Sequence, residues 1–137
     1  MDIQEYIDKI YNKYELFNYT WVVYVLRSVD DSNYMYCGCT NNIYRRLRQH
    51  NGIISGGGKY TSSHRPWKLA ALIINIQNKS QALKVEYSIK AKNHKNQTKI
   101  PKKCPVDRRL YLIKYSMDKY ELNDVIYIDK EFRKKSQ

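Results

Sequence analysis

The chain has 137 residues and a mass of 16.4 kDa, which is room for one compact domain and too little for two. A hydrophobic share of 42% excludes a wholly disordered chain, and no unbroken apolar stretch exceeds six residues, so no segment spans a bilayer. Lys and Arg number 25 against 13 Asp and Glu, a net charge of +12, with −2 in the first 20 residues and +14 in the rest. A domain this basic points to a polyanion, with nucleic acid as the first expectation and no membrane partner. Three cysteines without framework spacing read as reduced thiols of an intracellular protein, in nucleus or cytoplasm, with a viral source left open. The N-terminal stretch MDIQEYIDKIYNKY lacks the basic-then-apolar layout of a signal peptide.

In chain order, residues 2–17 place Ile3, Tyr6, Ile7, Ile10, Tyr11 and Tyr14 at helical spacing, which predicts a helix with one apolar stripe. Trp21–Leu26 is β-branched and aromatic, a buried strand. The turn cluster Asp30–Asn33 leads to a second strand over Tyr34–Cys39, making an antiparallel hairpin. Thr40-Asn41-Asn42 offers N-cap chemistry for a helix through Asn51, with Gly52 as its stop. Residues 52–66 read as a glycine-rich basic loop and Trp67–Ile76 as a third strand. Ser80 is the expected cap of a helix running to Asn93. The runs Arg109–Tyr115 and Asp124–Ile128 remain of undetermined type. The expected class is α+β: a small three-stranded antiparallel sheet flanked by helices. It divides into an N-terminal helical extension (1–19), a core (20–95) and a basic C-terminal extension (96–137) packed on the same domain.

Two helices carry polar residues where apolar ones are expected. At 100° per residue, with Ile43 at 0°, Leu47 falls at about 40°, Arg46 at about 300° and His50 at about 340°. Arg46 and His50 therefore share the inward side, while Arg45 and Arg48 turn outward. A snorkelling arginine and a hydrogen-bonded core histidine would account for this, and so would an active site. In the second helix, with Ala82 at 0°, Glu86 lands at about 40° between Val85, Ile89 and Leu83. A carboxylate there needs a cation, either a basic side chain such as Arg46 or a metal.

VVY at Val22–Tyr24, YCG at Tyr36–Gly38, RRLRQHNG at Arg45–Gly52, the GGG…RPW loop and Glu86 in a helix, taken in order, resemble the GIY-YIG nuclease domain. Within that superfamily, the RRLRQHNG, GGG and RPW segments look most like the catalytic subunit of the eukaryotic nuclease that cuts branched DNA. Short single-domain bacterial members are nearly as close, through GKYT at Gly58–Thr61. Val22 stands where the first triplet has glycine, and Cys37 where the second has an aliphatic residue.

The resemblance implies a Mg²⁺-dependent (or Mn²⁺-dependent) DNA endonuclease with one ion, acting on branched or flapped DNA in repair or recombination. Tyr24 would take the proton from water, its pKa lowered by neighbouring cations. Tyr36 would position water or phosphate, Arg46 would clamp the scissile phosphate, His50 would share the proton work, and Glu86 would hold the metal. Arg45, Arg48, Lys59, Arg65 and Lys90 are the expected DNA contacts, with the acid-free lysine tract Lys90–Lys103 as a phosphate strip. The branched-DNA subunit also carries a zinc module. One cysteine after residue 95 leaves no such module here, and no scaffold partner is indicated. A catalytically silent DNA-binding module is the alternative reading. A protein-docking domain using helix 2–17 is the third.

Overall fold

The computed structural model describes residues 1–137. Its elements are α1 (Ile3–Lys13), β1 (Val22–Ser28), β2 (Met35–Thr40), α2 (Ile43–His50), α3 (Lys59–Ser62), β3 (Trp67–Ile73), α4 (Lys79–Ser88), α5 (Pro105–Lys119), β4 (Val125–Tyr127) and α6 (Lys130–Lys135). The sheet is antiparallel with strand order β2-β1-β3-β4. It has four strands rather than the expected three, because Val125–Tyr127 pairs along β3. A three-residue strand with half-buried side chains is too short for alternation to reveal it. No helix is long and apolar enough to cross a membrane.

Strand β1 is central and buried on both faces, which explains the unbroken apolar run Trp21–Leu26. Its odd positions Val23 and Val25 join Cys37, Val85, Ile89, Val106, Ile113 and Phe132 under α4, α5 and α6. Its even positions Val22, Tyr24 and Leu26 join Ile7, Ile10, Leu47 and Trp67 under α1 and α2. One sheet thus separates two cores, each closed by helices.

Local chemistry fixes the helix ends. The Asn42 side chain accepts from the Arg45 amide at the start of α2, and Gly52 follows its end with φ +73°, a conformation that favours glycine. Asn78, not Ser80, caps α4 by accepting from the Gln81 amide. That helix stops at Ser88 and gives way to short 3₁₀ turns at Ala91–Asn93 and Gln97–Lys99. Pro105 opens α5, and the Asp129 carboxylate accepts from the Glu131 and Phe132 amides to start α6. The undetermined run Arg109–Tyr115 is the middle of α5, tied to α4 by the Ser88–Ser116 hydroxyl pair at 2.6 Å.

Candidate active site

The site is built over β2, the edge strand, where the register sets Tyr24 opposite Gly38. A Cβ at Gly38 would lie 2.4 Å from the Tyr24 hydroxyl, so the missing side chain is what lets the phenol lie across the strand. Tyr24 is buried, and its hydroxyl lies 2.8 Å from Nε2 of His50, the last residue of α2 and fully buried. His50 Nδ1 lies 2.8 Å from the Thr61 hydroxyl, which itself donates to the Gly58 carbonyl at 3.3 Å. With the Thr61 proton committed to Gly58, Thr61 accepts from Nδ1–H, leaving Nε2 as the acceptor for the Tyr24 O–H. The result is one directed chain, Tyr24 to His50 to Thr61 to Gly58.

Thr61 is a buried polar residue in an otherwise exposed stretch, held by the Trp67 indole, which donates to the Thr61 carbonyl at 2.6 Å. Asn51 exchanges hydrogen bonds with the Trp67 backbone in both directions, pinning the end of α2 to β3. Arg65 Nε donates to the His50 carbonyl at 2.8 Å, and its guanidinium lies against Gly52.

Arg46 donates to Gln49 Oε1 and to the Gly56 carbonyl, both at 2.9 Å. The glycine loop is shaped by this neighbourhood. Gly56 has φ +109°, and Cβ atoms at Gly56 and Gly57 would meet Gln49 at 2.6 and 2.4 Å. Gly58 alone faces open space. Tyr36 joins Tyr24, His50 and Tyr60 in an aromatic group, its ring centroid 5.1 Å from that of His50 and 5.8 Å from that of Tyr60.

The electrostatics differ from expectation at Tyr24. Burial pushes its phenol above the ordinary value of 10, and the opposing Arg46 charge does not reverse the shift. Burial also lowers His50 to about 4, helped by the Arg46 and Arg65 charges. Both groups are neutral at pH 7, so a low-pKa tyrosine is not the protein's own device here.

Glu86 is half-buried on α4, the helix that packs on β2 from the other face of the sheet. Its cation is Lys90, two residues beyond the end of α4, at 3.1 Å, and no ion pair joins it to Arg46. The Cys39 thiol is pushed up to about 12 by burial and by the neighbouring Glu86 carboxylate. No group of three His, Cys, Asp or Glu surrounds this carboxylate. A lone carboxylate suits a hard divalent cation that keeps most of its waters and shares substrate phosphate oxygens, and does not make a closed cage.

The outward cations divide. Arg45 and Lys59 are exposed and make no ion pair. Arg48 donates to Gln4 of α1 at 3.0 Å and lies over the Tyr44 ring, so it fastens α1 to α2. Sequence reasoning passed over Thr61 and Gln49. The only available signal was a polar residue inside the GKYT segment, and nothing in the sequence marks it as buried.

A sheet edge bearing a phenol–imidazole pair, an arginine and a carboxylate from the next helix defines a small α+β catalytic domain. Residues 20–100 match the GIY-YIG catalytic domain, and the chain belongs to that family. Among its relatives is the structure-specific endonuclease subunit SLX1 of Debaryomyces hansenii, 44% identical over 70 residues, covering 49% of this chain and 20% of that protein. The protein of the same name from Podospora anserina is 42% identical over 71 residues, covering 50% of this chain and 20% of its own. The one from Schizosaccharomyces pombe is 43% identical over 67 residues, covering 47% and 25%. The chain thus matches about a fifth to a quarter of the length of these curated relatives.

Proposed function

We propose that the protein is a DNA endonuclease that hydrolyses phosphodiester bonds with one divalent ion, Mg²⁺ or Mn²⁺, and acts on branched or flapped DNA in repair or recombination. The observation that carries the reading is the directed chain from Tyr24 through His50 to Thr61, with Arg46 beside the phenol. The relatives' name, structure-specific endonuclease subunit, supports structure selection and, through the word subunit, a protein partner.

In the proposed reaction a water bound at the sheet edge gives a proton to the Tyr24 oxygen while the Tyr24 proton passes to His50 Nε2. The water oxygen forms its bond to phosphorus, and the bond to the leaving ester oxygen breaks. Because Tyr24 gives and receives a proton together, its raised pKa is no obstacle. Arg46 clamps a non-bridging phosphate oxygen. That phosphate charge offsets the Arg46 cation that holds His50 down, so the imidazole becomes a better acceptor when substrate arrives. Glu86 is the residue that would hold the divalent ion, which when bound neutralises charge on the phosphate and leaving oxygen. Tyr36 borders the same space and positions the attacking water. Arg45, Lys59 and Arg65 face the DNA backbone, with Lys90 beside the metal ligand.

A catalytically silent DNA-binding module is favoured by one observation, the Lys90–Glu86 pair, which occupies the carboxylate with a protein cation. Branched, flapped and plain duplex DNA incubated with Mg²⁺ or with EDTA separates the two. The nuclease reading expects cuts in branched or flapped DNA with Mg²⁺, none with EDTA, and none with Glu86→Gln. Bound but uncut DNA, or equal products from wild type and Glu86→Gln, would sink it.

A further inference from the structure

A cavity of about 390 Å³ opens beside the site, bordered by Met35, Tyr36, Tyr60, Lys90, Lys92 and Arg109. It touches the site at two places, since Tyr36 belongs to the aromatic group around His50 and Lys90 is the partner of Glu86. Its volume falls in the range of roughly 300–1,000 Å³ that small-ligand sites occupy.

The cations on its wall are short of counter-charge. Arg109 comes from α5, beyond the residues that match the family. Its guanidinium donates to the Ile89 carbonyl, at the C-terminal end of α4, while its buried Nε has no partner. No carboxylate lies within 4.0 Å of Arg109 or of Lys92. A half-buried guanidinium that is anchored but unpaired is set up to receive an anion.

The other wall is aromatic. Tyr60 is 46% exposed, is stacked with Tyr36 at an interplanar angle of 29°, and donates to the Met35 carbonyl at 3.4 Å. Its ring is therefore held in place yet open to a partner. A fixed aromatic face next to a cluster of cations is the combination that single-stranded nucleic acid uses, the base stacking and the phosphate pairing. A base inside a duplex is already stacked and has no free face to offer Tyr60.

We propose that this cavity is a subsite for one unpaired nucleotide next to the scissile phosphate, with its base on Tyr60 and its phosphate on Arg109 and Lys92. It deepens the nuclease reading by assigning a physical cause to the choice of branched or flapped DNA.

The test measures binding in EDTA, by fluorescence anisotropy, to a flapped DNA and to a fully paired duplex of the same length. Wild type is expected to bind the flapped DNA more tightly. Tyr60→Leu is expected to weaken flapped-DNA binding roughly tenfold and duplex binding less than about twofold. Lys92→Gln, at an exposed position, and Arg109→Gln are each expected to weaken flapped-DNA binding and to lower its salt slope by about 1. Since Arg109 also anchors Ile89, its variant is read only if its thermal unfolding matches wild type; the other two carry the test regardless. Equal losses for both DNAs, or unchanged flapped-DNA binding in Tyr60→Leu and Lys92→Gln, would overturn the subsite. Cleavage is not read here, so a failed nuclease reading would show separately, as DNA left uncut in Mg²⁺ with the binding differences intact.

Discussion

The two faces of the central sheet are built to different rules. Under α4, α5 and α6 the core cluster is apolar, and the buried polar groups beside it are the Ser88–Ser116 pair and His94 against Tyr111 and Tyr115 of α5. Under α1 and α2 the same strands bury Tyr24, His50 and Thr61 in an open-ended chain whose first hydroxyl lies at the edge strand. Most buried polar groups are hydrogen-bonded on either face. On the second the chain begins at a phenol that lies across Gly38 of the edge strand β2, next to the proposed substrate site. The first face should therefore govern folding and the second chemistry, and substitutions can separate them.

The largest expected effect is on the second face. Tyr24→Phe removes the hydroxyl that in the proposed reaction both takes and gives a proton, so cleavage should fall by roughly 10²- to 10⁴-fold. The loss leaves His50 Nε2 unpaired, and stability should fall by about 1–3 kcal/mol. Cleavage kinetics beside a urea unfolding curve check both; wild-type cleavage by this variant would remove Tyr24 from the mechanism.

The matching break on the first face is Phe132→Ala. Phe132 is fully buried, and truncation there should lower stability by about 3–5 kcal/mol. Cleavage per folded molecule should hold at temperatures where the variant remains folded. A comparable loss of specific activity would mean that the faces are not separable.

Acid should also act on the second face. The unfolded chain protonates His50 near 6.5, the folded protein only near 4. Protons therefore favour the unfolded state across that window. Stability from this group is full above about pH 6.5 and declines by roughly 3 kcal/mol as pH falls toward 4. Urea midpoints taken from pH 7 to pH 4 should show this slope, and His50→Gln should flatten it. An unchanged slope in the variant would place its origin elsewhere.

The sequence made these faces legible to unequal degrees. Helical periodicity placed Arg46, His50 and Glu86 on inward sides, because α2 and α4 are regular and a misplaced charge stands out on an apolar stripe. It left the cation beside Glu86 open between a basic side chain such as Arg46 and a metal, and the ion pair is with Lys90, just past the end of α4. It looked to neighbouring cations to lower the Tyr24 pKa, and Arg46 alone does not, because burial on a central strand outweighs a single arginine in a way that spacing does not show. Thr61 and Arg109 were illegible because each owes its place to partners far along the chain: Thr61 to His50, and Arg109 to Ile89 twenty residues away. The fourth strand was missed for the same reason, its identity resting on its pairing with β3.

The smallest expected effect isolates direction from composition. In the proposed reaction Thr61 touches no reacting atom and acts as a positioning residue, accepting from His50 Nδ1–H so that Nε2 faces Tyr24. Thr61→Val keeps the volume but removes the acceptor, which leaves the ring free to adopt the tautomer that cannot receive the Tyr24 proton. Cleavage should fall roughly tenfold, equivalent to about 1.4 kcal/mol. Thr61→Ser restores the hydroxyl without the methyl and should recover most of the rate at similar stability. A structural role alone predicts the reverse order, with the isosteric valine milder than the smaller serine. Measuring both variants for cleavage and for urea midpoint decides between a hydroxyl that directs the proton and one that merely fills the space beneath Trp67.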